Sequence, residues 1–140
     1  MKRAIILGLL ALAMSSSTRA DEQMDNAAMD FVTLCTPCHG NAAKGDGPLS
    51  SKLRKKVPDL TAISVRNGGE FPKDMVFDTI AGLGMPDSHG TRDMPVWGDL
   101  FVSAELGNSV KLEDAMKASD TATKRIVGLL RYIGSIQTKR

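Results

Sequence analysis

Hydrophobic residues recur at helical spacing in two stretches of the chain, one towards each end. The first stretch has apolar residues at intervals of four, three and four, and it ends in a cysteine: Met24, Ala28, Phe31 and Cys35. The second traces one helical face: Ala122, Ile126, Leu129, Leu130, Ile133 and Ile136. Ser119 or Asp120 is predicted to cap the N-terminus of this second helix.

Between these two helices the chain is rich in prolines and glycines. Residues 36–48 predict one long loop, and residues 84–98 predict a second. Residues 50–56 predict a short basic helix, and residues 72–81 predict another short helix that Gly82 ends. No stretch alternates as a strand does, so the fold class is all-α. Loops of this length need something to fold around.

Composition narrows the class of protein. The 140 residues are about one domain's worth. The 18 basic and 16 acidic residues nearly balance, which argues against a nucleic-acid binder with a basic surface. Aromatic residues make up only 4%. The core is therefore filled either by smaller apolar side chains or by a bulky group that the sequence does not encode.

Residues 1–20 have the pattern of a secretory signal peptide. Lys2 and Arg3 precede an apolar run of eleven residues, and small polar residues then lead to Ala20. An uncleaved anchor is the alternative, but a bilayer crossing takes about 20 apolar residues. Cleavage near Ala20 leaves residues 21–140 as one periplasmic domain without a membrane span. The cut removes three basic residues and no acidic one, so the mature net charge is −1.

The run Cys35-Thr36-Pro37-Cys38-His39 is the attachment signature of c-type haem. Two thiols at this spacing form thioethers with the haem vinyl groups, and the histidine ligates the iron. A redox dithiol of the thioredoxin kind would need a βαβ context, and a zinc site would need a second ligand cluster. The sequence predicts one covalently bound haem c, which would also serve as the missing bulky group.

The chain resembles class I cytochromes c, in particular small exported bacterial monohaem ones, over almost all of residues 24–137. The segments that carry the resemblance are CTPCHG at 35–40, GDGP at 45–48, PDLT at 58–61, RNGGEFP at 66–72, HGTRDMPVWGDLF at 89–101 and LLRYIGSIQ at 129–137. The resemblance implies the cytochrome c fold, in which helices and long loops wrap around one covalently attached haem. It also implies that the first and last helices cross, where Phe31 and Tyr132 would meet.

The second axial ligand of the iron has three candidates outside the helical stretches. Met85 and Met94 each precede a proline, which favours an extended backbone at the methionine, and His89 lies between them. The residues alone do not separate these candidates. The resemblance implies Met94, which stands in the MPVWG segment. A His/Met pair raises the reduction potential and favours electron transfer.

Other residues are candidates for supporting roles around the haem. The resemblance implies that the Pro48 carbonyl accepts a hydrogen bond from the second nitrogen of His39, although Pro48 can equally serve only to close a turn. Trp97 either packs in the core or donates its N–H to a haem propionate. A basic set either is solvated, offsets propionate charge or docks an acidic partner: Lys52, Arg54, Lys55, Lys56 and Arg66.

These features predict a soluble one-electron carrier rather than an enzyme. It would pass electrons between periplasmic or membrane redox proteins, or serve as the haem subunit of a dehydrogenase or oxidase. It would act as a monomer or within a hetero-complex, and it would bind no nucleic acid. The alternative is a haem sensor or enzyme whose sixth coordination position is open or labile.

Overall fold

A computed structural model describes residues 21–83 and 94–138 of the chain. The predicted signal peptide, Met85 and His89 lie outside the described residues. Within these two ranges the protein is helical and contains no strand, so the predicted all-α class is confirmed there. The helices are α1 (21–39), α2 (Ile63–Arg66), α3 (Lys73–Ala81), α4 (Trp97–Leu106) and α5 (Leu112–Ser135). Two 3₁₀ turns accompany them, Ser50–Lys52 and Leu60–Ala62.

Helix α1 is longer than predicted and changes its winding. It is α-helical over 21–30, widens to a π-helix over Phe31–Cys35, and ends in the turn Thr36–His39. The prediction that the loop starts at residue 36 is therefore wrong. The Thr36 hydroxyl donates to the carbonyl of residue 32 at 2.6 Å, and Gly40, with φ of 78°, ends the helix. Single π turns are frequent at functional sites.

Helix α5 has 24 residues and begins at Leu112. The predicted caps, Ser119 and Asp120, lie inside it, so the predicted start of this helix is wrong. Glu113 and Asp114 lie in its first turn, where negative charge is favourable. The Ser109 hydroxyl donates to the Asp114 carboxylate just outside the helix. Ala118, which is buried, extends the apolar face in the N-terminal direction.

The two shorter predicted helices have different outcomes. The helix predicted over 72–81 is confirmed as α3, with Gly82 immediately after it. The basic helix predicted over 50–56 is wrong, because only the single turn Ser50–Lys52 forms. Leu53, directly after that turn, has an extended backbone and ends it.

The hydrophobic core lies where α5 packs against α1, α3 and α4. Phe31 and Leu129 are each 1% exposed. The ring centroids of Phe31 and Tyr132 lie 5.0 Å apart, so the expected meeting of these two residues is confirmed. The other buried members of the cluster are Ala43, Ile63, Val76, Ile80, Phe101, Ala122, Ile126 and Ile133. Among the described helices, none combines the length and hydropathy needed to cross a membrane.

An ion pair next to this core ties three helices together. The Arg125 guanidinium of α5 donates two hydrogen bonds to the Asp30 carboxylate of α1, at 2.7 and 3.0 Å. The same guanidinium lies over the Phe101 ring of α4, 3.9 Å from its centroid. Both charged side chains are half-buried, so this pair contributes more to stability than a fully exposed one.

Candidate functional site

The C-terminal turn of α1 carries the three residues of the predicted attachment motif. Cys35 and Cys38 are half-buried free thiols, and His39 follows them directly. Residues three apart in a helix lie on the same side of it, so both thiols face one region of space. The two thiols and the imidazole thus all stand in the C-terminal turns of a single helix.

The Cys35 thiol is held in its protonated form. Burial raises its pKa to about 12, and the negative charge of Asp30 and the neighbouring Cys38 add to the effect. Reactive dithiols depend on the opposite shift, because the thiolate is the nucleophile. The environment of Cys35 therefore disfavours the interpretation of this motif as a thioredoxin-like redox pair.

His39 is buried and lacks a hydrogen bond that its ring needs. It is 8% exposed, and its Nδ1 atom is buried without a partner. Burial lowers the pKa of His39, and the backbone of Pro58 opposes that shift without completing a well-formed bond to Nδ1. The imidazole is therefore neutral at pH 7, the form that ligates metals. A buried orphan nitrogen costs about 1–3 kcal/mol, so its retention indicates a role beyond packing.

The segment after the motif folds back along it. The amides of Gly45, Gly47 and Leu49 donate to the carbonyls of His39, Cys38 and Pro37, at 2.8, 3.1 and 2.8 Å respectively. The sequence predicts only a turn in this segment. In the sequence, Gly45 and Gly47 are the feature that could have indicated this, because glycine allows one backbone to approach another closely.

Gly47 lies directly against the backbone of the motif. A Cβ atom at this position would lie 2.5 Å from the Thr36 carbonyl oxygen and 2.6 Å from both the Pro37 oxygen and the Cys38 carbonyl carbon. Only a residue without a side chain fits there. The Gly-Asp-Gly segment thus fixes the backbone on which both cysteines and the histidine stand.

A second segment, residues 57–61, completes the surroundings of His39. Its Leu60 amide donates to the Ala43 carbonyl at 2.7 Å, and the backbone of Val57 and Pro58 packs directly on Gly45. This packing brings the Pro58 backbone to the His39 ring. Sequence reasoning missed Pro58, although the PDLT segment that begins with it was among the quoted motifs.

Pro48, the proline that the resemblance implies, directly follows Gly47 in the chain, and its side chain is exposed. The hydrogen bond from His39 Nδ1 to the Pro48 carbonyl stays a prediction.

Met94 and Trp97 lie together at the edge of the core. Both are half-buried and pack against the hydrophobic cluster. Trp97 begins α4, and its ring centroid lies 6.1 Å from that of Phe101. Trp97 therefore packs against the hydrophobic core, as one of its two predicted roles requires. Ligation of iron by Met94 and a bond from Trp97 to a propionate stay predictions.

The predicted basic set is exposed at the surface. Its five members lie in or beside the 3₁₀ turn Ser50–Lys52 and at the end of α2. The Asp59 carboxylate accepts from the Thr61 amide and hydroxyl at 2.8 and 2.7 Å, and the hydroxyl bond is the main cause of its lowered pKa. Lys44 and Arg66 lower that pKa further.

The donor set of the site suits haem attachment. In the part of the chain that the structure describes, no group of three or more His, Cys, Asp or Glu side chains lies close enough to hold a metal ion. Two free thiols beside a neutral, buried histidine match the thioether and axial-ligand requirements of c-type haem. Comparison of the chain with known protein families, with curated proteins and with solved structures found no match.

Proposed function

We propose that the protein is a c-type cytochrome that carries one electron at a time by means of a single covalent haem c. Cys35 and Cys38 hold the haem through thioethers, and His39 and Met94 ligate its iron. The observation that carries the proposal is His39, a buried neutral imidazole with an unpartnered Nδ1, directly after two free thiols one helical turn apart.

The surrounding structure supports this assignment. The cytochrome c fold, with helices and long loops around the haem, would account for the contact between α1 and α5 and for loops that have few core residues of their own. The haem supplies the Fe(II)/Fe(III) couple. The chain's own residues enclose the imidazole, keep Cys35 un-ionised and pack Cys35 against the hydrophobic core.

A His/Met ligand pair directs the protein towards electron transfer. A thioether ligand favours the ferrous state and occupies the position at which a small molecule would bind. We propose that the partners are periplasmic or membrane redox proteins, either as successive donors and acceptors or as the other subunits of a dehydrogenase or oxidase. Residues 1–20 would direct the protein to the periplasm.

Covalent attachment is tested by acid–acetone extraction of the purified protein. The double variant Cys35→Ala, Cys38→Ala is expected to release all of its haem, because no thioether remains. Each single variant is the matched control, since it keeps one thioether and retains its haem on extraction. Haem that stays with the double variant would contradict covalent attachment.

Closure of the iron is tested with carbon monoxide. The reduced holoprotein at neutral pH is expected to bind it slowly or incompletely, because Met94 must first leave. Rapid and complete binding of carbon monoxide would contradict the electron-carrier function. It would favour the alternative, a haem sensor or enzyme with an open sixth coordination position.

A further inference from the structure

The N-terminal half of α5 presents an open face to solvent. Between residues 112 and 124 the helix buries only two alanines. Leu112 is 77% exposed, and Met116, one turn further on, is 67% exposed. Residues four apart share a helix face, so these two side chains form what we call the apolar strip. Val110, directly before the helix, is fully exposed as well. Large apolar side chains that lie together at a surface indicate an interaction site.

A row of charges runs alongside the apolar strip. Its four positions are spaced by four, three and four residues, which places them on one side of the helix. The charges alternate in sign along this charged row, which consists of Glu113, Lys117, Asp120 and Lys124. All four side chains are exposed. Among the described residues, Lys124 pairs with Asp120, whereas Glu113 and Lys117 form no ion pair. Charges of this row are therefore available to a partner.

The charged row is complementary to itself in reverse order. When two copies of one helix pack antiparallel about a two-fold axis, each flank of the helix lies against the same flank of the other copy. The order minus, plus, minus, plus then meets plus, minus, plus, minus. An axis between positions 118 and 119 sets Glu113 of one copy against Lys124 of the other. It likewise sets Lys117 against Asp120, and the apolar strip lies between the two helices.

Overall charge does not oppose contact between two copies, because residues 21–140 carry a net charge of only −1. We propose that the protein forms a homodimer through this face of α5, with the two helices antiparallel. A single helix pair buries less than the about 800 Å² per partner of a standard interface, so the dimer is weak and reversible. The inference does not depend on the proposed function.

Sedimentation equilibrium of the purified holoprotein tests the dimer, at concentrations from about 10 μM to about 1 mM. The average mass is expected to rise with concentration from that of one chain towards that of two. Added salt is expected to lower the dimer fraction, because the paired charges are close to solvent.

Met116→Glu tests the role of the apolar strip. It is expected to raise the dissociation constant about tenfold, because dimerisation would take a carboxylate out of water. Met29→Glu is the matched control: Met29 is 66% exposed, as Met116 is, but it lies on α1. This control is expected to leave the dissociation constant unchanged. If Met116→Glu had no more effect than Met29→Glu, a different surface would hold the dimer.

An exchange of charges tests the antiparallel order. Lys117→Glu sets a carboxylate against Asp120 of the other copy at two places in each dimer, and it is expected to raise the dissociation constant about tenfold. The double variant Lys117→Glu, Asp120→Lys makes both places attractive again and is expected to recover the dimer. Helical circular dichroism of each variant shows that it is folded. Recovery requires these two positions to face each other across the two-fold axis.

A protein that stays monomeric up to about 1 mM would overturn the inference and leave the apolar strip to another protein or to a lipid surface. A dimer that the double variant fails to recover would overturn the antiparallel arrangement. The proposed function stands in either case, because haem attachment is measured separately by acid–acetone extraction.

Discussion

Gly47→Ala should disturb the backbone of the Cys35–His39 motif directly. The added methyl group would lie 2.5–2.6 Å from three backbone atoms of residues 36–38, against 3.4 Å or more for ordinary contact. The two backbones must therefore separate by about 0.8 Å. Such a shift lengthens the bond from the Gly47 amide to the Cys38 carbonyl, now 3.1 Å, beyond hydrogen-bond range.

The expected cost follows from these two effects. Overpacking of this kind costs about 1–3 kcal/mol, and the lost hydrogen bond adds about 1 kcal/mol. The free energy of unfolding should therefore fall by about 2–4 kcal/mol, a large share of the total for a domain of this size. With a denaturant slope of about 2 kcal/mol per molar urea, the midpoint should fall by about 1.5 M.

The assay is urea unfolding of the purified holoprotein, with the fraction of haem-loaded protein as a second readout. Gly68→Ala is the control: nothing lies within 4 Å of the added methyl group, although Gly68, unlike Gly47, has a positive φ of 71°. It should cost only about 1 kcal/mol of backbone strain and leave haem loading intact. A urea midpoint for Gly47→Ala equal to or above that of Gly68→Ala would refute the close approach of Gly47 to the backbone of residues 36–38.

Three further predictions concern the ligand, the haem and the helix junction. Met94→Ala should abolish the charge-transfer band of sulfur-ligated ferric haem and lower the potential, whereas Met85→Ala should leave both unchanged; the reverse result would make Met85 the ligand. Haem-free protein should show much weaker helical circular dichroism and no cooperative melt, because the stabilisation that the haem contributes is withdrawn; a sharp transition would contradict this. Arg125→Met should cost about 2 kcal/mol in urea unfolding, since charge-assisted hydrogen bonds and a ring contact are lost. Lys124→Met, which breaks an exposed pair in the same helix, should cost no more than about 0.5 kcal/mol, and equal losses would show that the Arg125 pair is no stronger than a surface one.

The sequence by itself determined the local features of this protein. The Cys-x-x-Cys-His spacing, the apolar faces of the first and last helices and the helix before Gly82 are all set by residues a few positions apart. Local spacing is sufficient because a helical turn brings residues i, i+3 and i+4 together whatever the rest of the chain does. The helix ends were less predictable, because the continuation of α1 through the motif depends on the Thr36 hydroxyl and on where Gly40 reverses the chain.

Only the tertiary structure decided how the loops are arranged around His39. The resemblance implied Pro48 as the partner of His39, and the tertiary structure brings the Pro58 backbone close to the imidazole as well. That placement requires Gly45 and Gly47 to lie against the motif and Gln137 to hold residues 60–64 from a helix more than seventy positions away. Such contacts arise when the polar groups of a loop find partners on whatever surface the packed helices present. No short pattern encodes them, because each partner is fixed by the path of the whole chain.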